Sequence, residues 1–189
     1  MVYKMVCTVL IVTGPPAAGK TTLSRKLAKE LNLPLIVKDD IKDKLFDVLG
    51  WKDRDWSRKL GGASFEILFQ ILESLLQAQT SCIVETAFHQ VSAPTFLALK
   101  DRYGFHPIQI VCTASPDLLF QRFKQRSESG ERHPGHVDGN ATYDQFQTLL
   151  KNSTYATLEI GGTIIEIDTT NFESFQSCLV LSRHFLYRD

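Results

Sequence analysis

The sequence has no excess of charge of either sign: 21 Lys and Arg residues balance 21 Asp and Glu, for a formal net charge of zero. A whole-molecule electrostatic attraction to nucleic acid is therefore absent, and only local basic patches remain for contact with polyanions. No apolar run approaches the ~18 residues of a membrane span. The run Met5 to Thr13 is short and leads straight into a glycine-containing loop. It reads as a buried strand, not a signal peptide. Cysteine is scarce, at positions 7, 82, 112 and 178, and these residues have no metal-ligand spacing. Three lie in apolar strand-like runs and Cys178 lies on the apolar face of a helix, which predicts free buried thiols and a reducing, cytoplasmic setting. Repeats, low-complexity tracts and linkers are missing too, and 189 residues suit one domain spanning 1–189.

What the chain does have is alternation. Strand patterns at Cys7 to Thr13, Pro34 to Val37, Ser81 to Glu85, Pro107 to Thr113 and Thr163 to Asp168 alternate with helical ones. The helices are expected over Lys20 to Leu31, Asp39 to Leu49, Phe65 to Gln79, Ala93 to Tyr103, Pro116 to about Ser127, Tyr143 to Leu150 and Phe172 to Leu186. Ser115 is the expected cap ahead of Pro116. In the helix from Phe65, residues Leu68, Ile71, Leu72, Leu75 and Leu76 share one face. In the last helix, Phe175, Cys178, Leu179, Ser182 and Phe185 face inward. Trp51 to Gly62, with its paired glycines, reads as an irregular connection, and Ser127 to about Asn140 as a polar mobile loop. Gly161-Gly162 offers an alternative, a hairpin over Leu158 to Ile167. The expected fold is α/β: a three-layer sandwich with an about five-stranded parallel sheet and helices on both faces.

The pattern Gly-x-x-x-x-Gly-Lys-Thr fills the turn between the first strand and the first helix. Glycine lets backbone approach phosphate closely, successive N–H groups point into the loop, and the helix N-terminus adds a positive dipole end. Gly14, Pro15, Pro16, Ala17, Ala18, Gly19, Lys20 and Thr21, with Thr22 behind them, are the expected ATP-binding set. Lys20 suits the β- and γ-phosphates and the Thr21 hydroxyl suits Mg2+. The glycine spacing does not fit a dinucleotide site.

Lys38-Asp39-Asp40-Ile41-Lys42 follows the second strand, whose end borders the ligand crevice of such a sheet. A carboxylate there suits the proton of an attacking hydroxyl. Asp39 is the candidate base and Asp40 the helix cap. Lys42, about one turn on, is a candidate to hold a phosphate or steady the carboxylate. Glu85, at the end of the third strand, is the candidate for orienting Mg2+, with the acceptor as the alternative. Trp51, Trp56, Phe88 and His89 are candidates for the acceptor pocket or, equally, for core filling. Arg122 and Arg126 share a helix face, and Arg132 follows in the polar loop, so the three suit a lid that closes positive charge over a triphosphate. His133 and His136 have metal-like spacing but no third ligand nearby, which favours acceptor or phosphate binding over zinc.

Together the loop, the Asp39 box and the lid resemble the AAA_33 or zeta-toxin-like small P-loop kinases, which include chloramphenicol phosphotransferase and the 5′-kinase domain of phage polynucleotide kinase. The resemblance implies that Asp39 is the catalytic base, that Lys42 stands where an Arg is usual, and that Glu85 stands where Asp is usual. It also implies that the turn Asp168 to Asn171, with Asp168 and Thr169 foremost, borders the adenine opposite a lid arginine such as Arg122. Thr170 or Asn171 as a helix cap is the alternative. The expected function is ATP- and Mg2+-dependent phosphoryl transfer to a hydroxyl of a small-molecule acceptor. A 5′-hydroxyl polynucleotide kinase and a regulatory ATPase without acceptor are the alternatives.

Overall fold

Five apolar runs pair side by side in a single parallel sheet. The computed structural model describes residues 7–137, 142–152, 157–170, 176–179 and 182–183. Within them, β1 is Thr8–Thr13, β2 Leu35–Val37, β3 Cys82–Glu85, β4 His106–Thr113 and β5 Thr163–Asp168, in the order β2-β3-β1-β4-β5. Central β1 is buried at all six positions, because helices cover both faces. Edge strand β5 instead alternates, with Ile165 and Ile167 buried and Ile164 exposed.

The helices are α1 (Lys20–Leu31), α2 (Lys38–Leu49), α3 (Arg54–Gln77), α4 (Ala93–Tyr103), α5 (Pro116–Glu128) and α6 (Tyr143–Asn152). One core cluster joins Leu23 and Leu27 of α1 to Leu119 and Phe123 of α5 and Phe146 of α6. The other joins Leu68, Leu72 and Leu76 of α3 to Phe96 and Leu99 of α4. The expected three-layer α/β sandwich is therefore present. All four cysteines are free and buried.

The structure corrects several local expectations. Trp51 to Gly62 is largely helical: α3 starts at Arg54, where the Asp53 carboxylate accepts a bond from the Trp56 N–H at 2.8 Å. Gly61 and Gly62 are tolerated inside it because α3 is 24 residues long and buries a stripe of Ser57, Leu60, Ser64, Leu68, Leu72 and Leu76. Ile71 lies off that stripe and is exposed. The helix α2 begins directly at the end of β2 with no side-chain cap, so Asp40 does not cap it. There is no hairpin at Leu158 to Ile167, since β5 runs parallel to β4. Gly161 and Gly162 make the tight turn before it, and a Cβ on Gly162 would sit 2.1 Å from the Pro107 carbonyl oxygen. In the last expected helix, residues 176–179 and 182–183 are helical, with Cys178, Leu179 and Ser182 buried, while Phe175 and Phe185 lie outside the described residues.

The strand order positions the site. After β1 the chain passes to β2 on one side, and after β3 it crosses to β4 on the other. The crevice where the order reverses lies at the C-terminal end of β1. Register brings Val37, Glu85 and Val12 level there, with Thr113 beside Asp168.

Candidate active site

The phosphate loop is shaped by three left-handed residues. Gly14 has φ 137° and Gly19 φ 75°. A Cβ on Gly14 would lie 2.2 Å from the Cys112 carbonyl oxygen, so only glycine lets β1 turn beside β4 here. Ala17 takes φ 63° without being glycine, which marks local strain at this loop. The helix α1 starts at Lys20, so its open N–H groups face the loop. The Lys20 ammonium donates to the Pro15 carbonyl at 2.8 Å, folding back over the loop. Burial lowers the Lys20 pKa, with Glu85 opposing that shift.

Two expected metal ligands come together. The Thr21 hydroxyl donates to a Glu85 carboxylate oxygen at 2.8 Å. Burial raises the Glu85 pKa, against Lys20 and the Thr21 bond, and Asp39 and Asp40 push the same way as burial. Two hard oxygen donors beside the phosphate loop fit Mg2+, which keeps waters and takes phosphate oxygens for the rest of its shell. Among the described residues no three His, Cys, Asp or Glu side chains could hold a metal by themselves.

A cavity of 1060 Å³ runs from this loop to the start of α2. Its walls include Gly19, Lys20, Thr21, Thr22, Asp39, Asp40, Arg122, Arg126, Arg132 and Thr169. Asp39 is bonded by the Lys38 ammonium at 3.0 Å and by the Arg132 guanidinium at 3.2 Å. Burial works to raise the Asp39 pKa, but Lys38, Arg132 and His136 outweigh it and hold the carboxyl well below the usual carboxylate range. Asp40, more exposed, is paired with Arg25 at 2.9 Å.

Arg122 donates to the Thr169 hydroxyl at 3.2 Å and its carbonyl at 3.0 Å, which draws the α5 arginine to the turn after β5. Asp168 turns its carboxylate onto the Thr170 N–H at 2.9 Å and does not line the cavity. Thr170 does line it, and Asn171 lies outside the described residues.

Other expectations fall elsewhere. Lys42 is buried and donates to Ser57 of α3 at 2.9 Å, so it faces the α2–α3 interface instead of the phosphates. Burial pushes its pKa down to about 8. Phe88 is fully buried, within edge-to-face distance of Phe65 and Phe96, and is core. His89 opens the short turn Gln90–Ser92, away from the cavity lining. Trp56 donates its indole N–H to the Gly50 carbonyl at 2.9 Å and Trp51 is exposed; both mark the α2–α3 junction outside the cavity. His133 and His136 turn to α2, where they pair with Asp47 and Asp43.

Sequence reasoning missed Lys38, Arg25 and Asp43 as parts of this site. Lys38 was adjacent to Asp39 throughout, and its neighbour's charge was the available signal.

Residues 9–152 match the AAA_33 family model, an AAA domain. The chain belongs to the AAA_33 family. This AAA_33 protein is 37% identical to a putative kinase from Chloroflexus aurantiacus, over 95% of this chain and 98% of that one, with a TM-score of 0.87. Kti12 of Chaetomium thermophilum, solved with ADP-AlF3, is 13% identical over 95% and 100% of the two chains, with a TM-score of 0.65. Shikimate kinase from Bacteroides thetaiotaomicron is 17% identical over 96% and 99%, with a TM-score of 0.56, and shares the fold. No curated protein sequence matches the chain. Family and fold thus set the AAA_33 protein among the P-loop kinases, as the loop, the Asp39 box and the lid implied. Among the described residues no helix is long and apolar enough to cross a membrane.

Proposed function

We propose that this AAA_33 protein is an ATP-dependent kinase that transfers the γ-phosphoryl group to a hydroxyl of a small polar acceptor. One observation carries the reading: Asp39, Lys20, Thr21 and the lid arginines line the same cavity. In the transfer, the acceptor oxygen bonds to the γ-phosphorus, its proton passes to the Asp39 carboxylate, and the bond to the β-phosphate oxygen breaks to release ADP. Lys20 and the loop amides hold the β- and γ-phosphates. Arg122, with Thr169 and Thr170, borders the base. Arg126 and Arg132 offset the charge on the transferring group. Mg2+, held through Thr21 and Glu85, supplies further charge neutralisation at the phosphates.

The low pKa keeps Asp39 ionised, and the carboxylate accepts the proton once Arg132 turns from it to the phosphates. Closing the lid side excludes water, which would otherwise consume ATP. A charged, non-aromatic lining among the described residues supports a compact, hydrophilic acceptor. Four buried free thiols agree with a cytoplasmic setting, and a single-domain chain is part of the same reading.

The test is ADP release from magnesium-ATP, in the original protein and in Asp39→Asn, against two panels. One holds small alcohols, nucleosides and hydroxylated antibiotics; the other holds 5′-hydroxyl oligonucleotides. The expected result is stimulation by a small alcohol that falls roughly 10²-fold or more in Asp39→Asn, with nucleotide affinity kept. Stimulation by oligonucleotides alone would move the acceptor to nucleic acid. Slow release that neither panel nor mutation changes would overturn the kinase reading.

A further inference from the structure

The helix α2 carries aspartates at 39, 43 and 47, spaced by four and so stacked on one stripe. Each is met by a side chain from one short segment of the loop after α5. Arg132 reaches Asp39 at 3.2 Å, His136 reaches Asp43 at 2.7 Å, and His133 reaches Asp47 at 3.5 Å. Residues 134–136 form a tight turn between the two histidines, and both imidazole rings meet Phe46. The His133 ring stacks on Phe46 at 4.9 Å, and the His136 ring stands edge-on to it at 5.4 Å.

Gly135 completes the seat. A Cβ there would sit 2.7 to 2.8 Å from three atoms of the Phe46 ring, so the backbone lies flat against it only as glycine. The Gly135 N–H donates to His133 Nδ1 at 3.0 Å. That leaves His133 Nε2 as the proton-bearing nitrogen toward Asp47. The N-terminal turn of α3 closes the other side: Arg54 donates to the carbonyls of His136 and Val137 at 3.3 and 3.2 Å. Ser57, itself bonded by Lys42, lies 3.5 Å from the His136 carbonyl. Five of the six positions 132–137 are thus held by two helices, and Arg132 is the one among them paired with Asp39.

We infer that Asp43, Phe46 and Asp47 form a docking track for the lid segment 132–137, and that His133, Gly135 and His136, seated on it, are positioning residues that hold Arg132 at the reaction site. This rests on the reading of Asp39 and Arg132 as reacting groups. The track explains why α2 repeats an aspartate beyond the one the reaction uses. It also explains the glycine and the two histidines that the chemistry leaves without a task. A merely structural ion-pair surface would need neither the glycine nor the two ring contacts with Phe46.

Two variants test it in the full chain. Asp43→Ala/Asp47→Ala removes two partly exposed carboxylates, a change the fold should tolerate. Gly135→Ala drives a methyl into Phe46. Hydrogen–deuterium exchange across residues 132–137 needs neither nucleotide nor acceptor. In both variants it should quicken about tenfold or more there, with the sheet amides and the melting temperature little changed. ADP release from magnesium-ATP, with water as the default acceptor, is the second readout. The double variant should lose about as much kcat as Arg132→Ala, roughly tenfold or more, with KM for ATP within about twofold. Adding Arg132→Ala to it should cost nothing further, because the track acts through that arginine.

Unchanged exchange at 132–137 would overturn the docking. Faster exchange with unchanged kcat, or losses that add to those of Arg132→Ala, would overturn the positioning. Failure of the kinase reading looks different: no acceptor stimulates the original protein while the exchange result stands, and the positioning role then falls with that reading.

Discussion

The two walls of the cavity are built on different principles. On the phosphate side, backbone does the work: left-handed residues at 14, 17 and 19 bend the chain, and α1 offers its N-terminus. On the α2 side, side chains do it: Asp39 with Arg132 and Asp43 with His136 join positions 93 residues apart in the chain. A backbone-built wall restricts which residues fit at fixed, local spacing. A wall built from side chains is an arrangement of pairs, and any one pair resembles an ordinary surface contact. The first wall is therefore hard to vary and easy to read. The second is free to vary.

The largest effect should come from the phosphate wall. Lys20→Ala should abolish transfer, a loss on the order of 10³-fold or more in kcat/KM for ATP, read by ADP release. If it retained near-normal turnover, that wall would not hold the triphosphate. Gly14→Ala should follow, destabilising the fold by on the order of 1–3 kcal/mol through its positive φ and the clash with Cys112, read by denaturant unfolding.

The side-chain wall should respond to pH. Burial lowers the His136 pKa, Asp43 opposes it, Arg132 and Lys42 reinforce it, and Asp39 opposes it. A depressed value means that docking favours the neutral imidazole. Docking is therefore at full strength above the ordinary histidine value of about 6.5 and weakens as pH falls below it. Exchange at 134–137, corrected for its intrinsic pH dependence, should rise between about pH 7.5 and about pH 5.5, and His136→Asn should flatten that rise. A rise with increasing pH would contradict the assigned sign. The smallest effect is Ala17→Gly. It should leave stability within about 1 kcal/mol, because relief of strain at φ 63° offsets the added unfolded-state entropy.

The same contrast governs what was legible in the sequence. Strand and helix order, the phosphate loop, and Asp39 at a strand end all follow from periodicity and local geometry, so they could be read residue by residue. The 24-residue α3 could not, because Gly61-Gly62 argues locally for a break, and only the buried stripe from Ser57 to Leu76 overrides it. Lys42 had the correct spacing from Asp39, but burial against Ser57 decides where it points. Phe88 sits in a crevice-facing stretch of sequence and still packs among Phe65, Phe69 and Phe96, since aromatic rings bury where space permits. The histidines of the lid found their partners in α2, across a separation that no local pattern encodes.

The four buried cysteines have a practical consequence. Burial pushes the thiols of Cys82 and Cys112 up to about 12 and that of Cys178 to about 11, so in the folded chain they present almost no thiolate. Colorimetric thiol reagents should leave the native protein unlabelled and count four sulfurs per molecule once it opens. The chain thus contains its own gauge of unfolding, and a single cysteine introduced at the surface would carry a dye without competition from the native four.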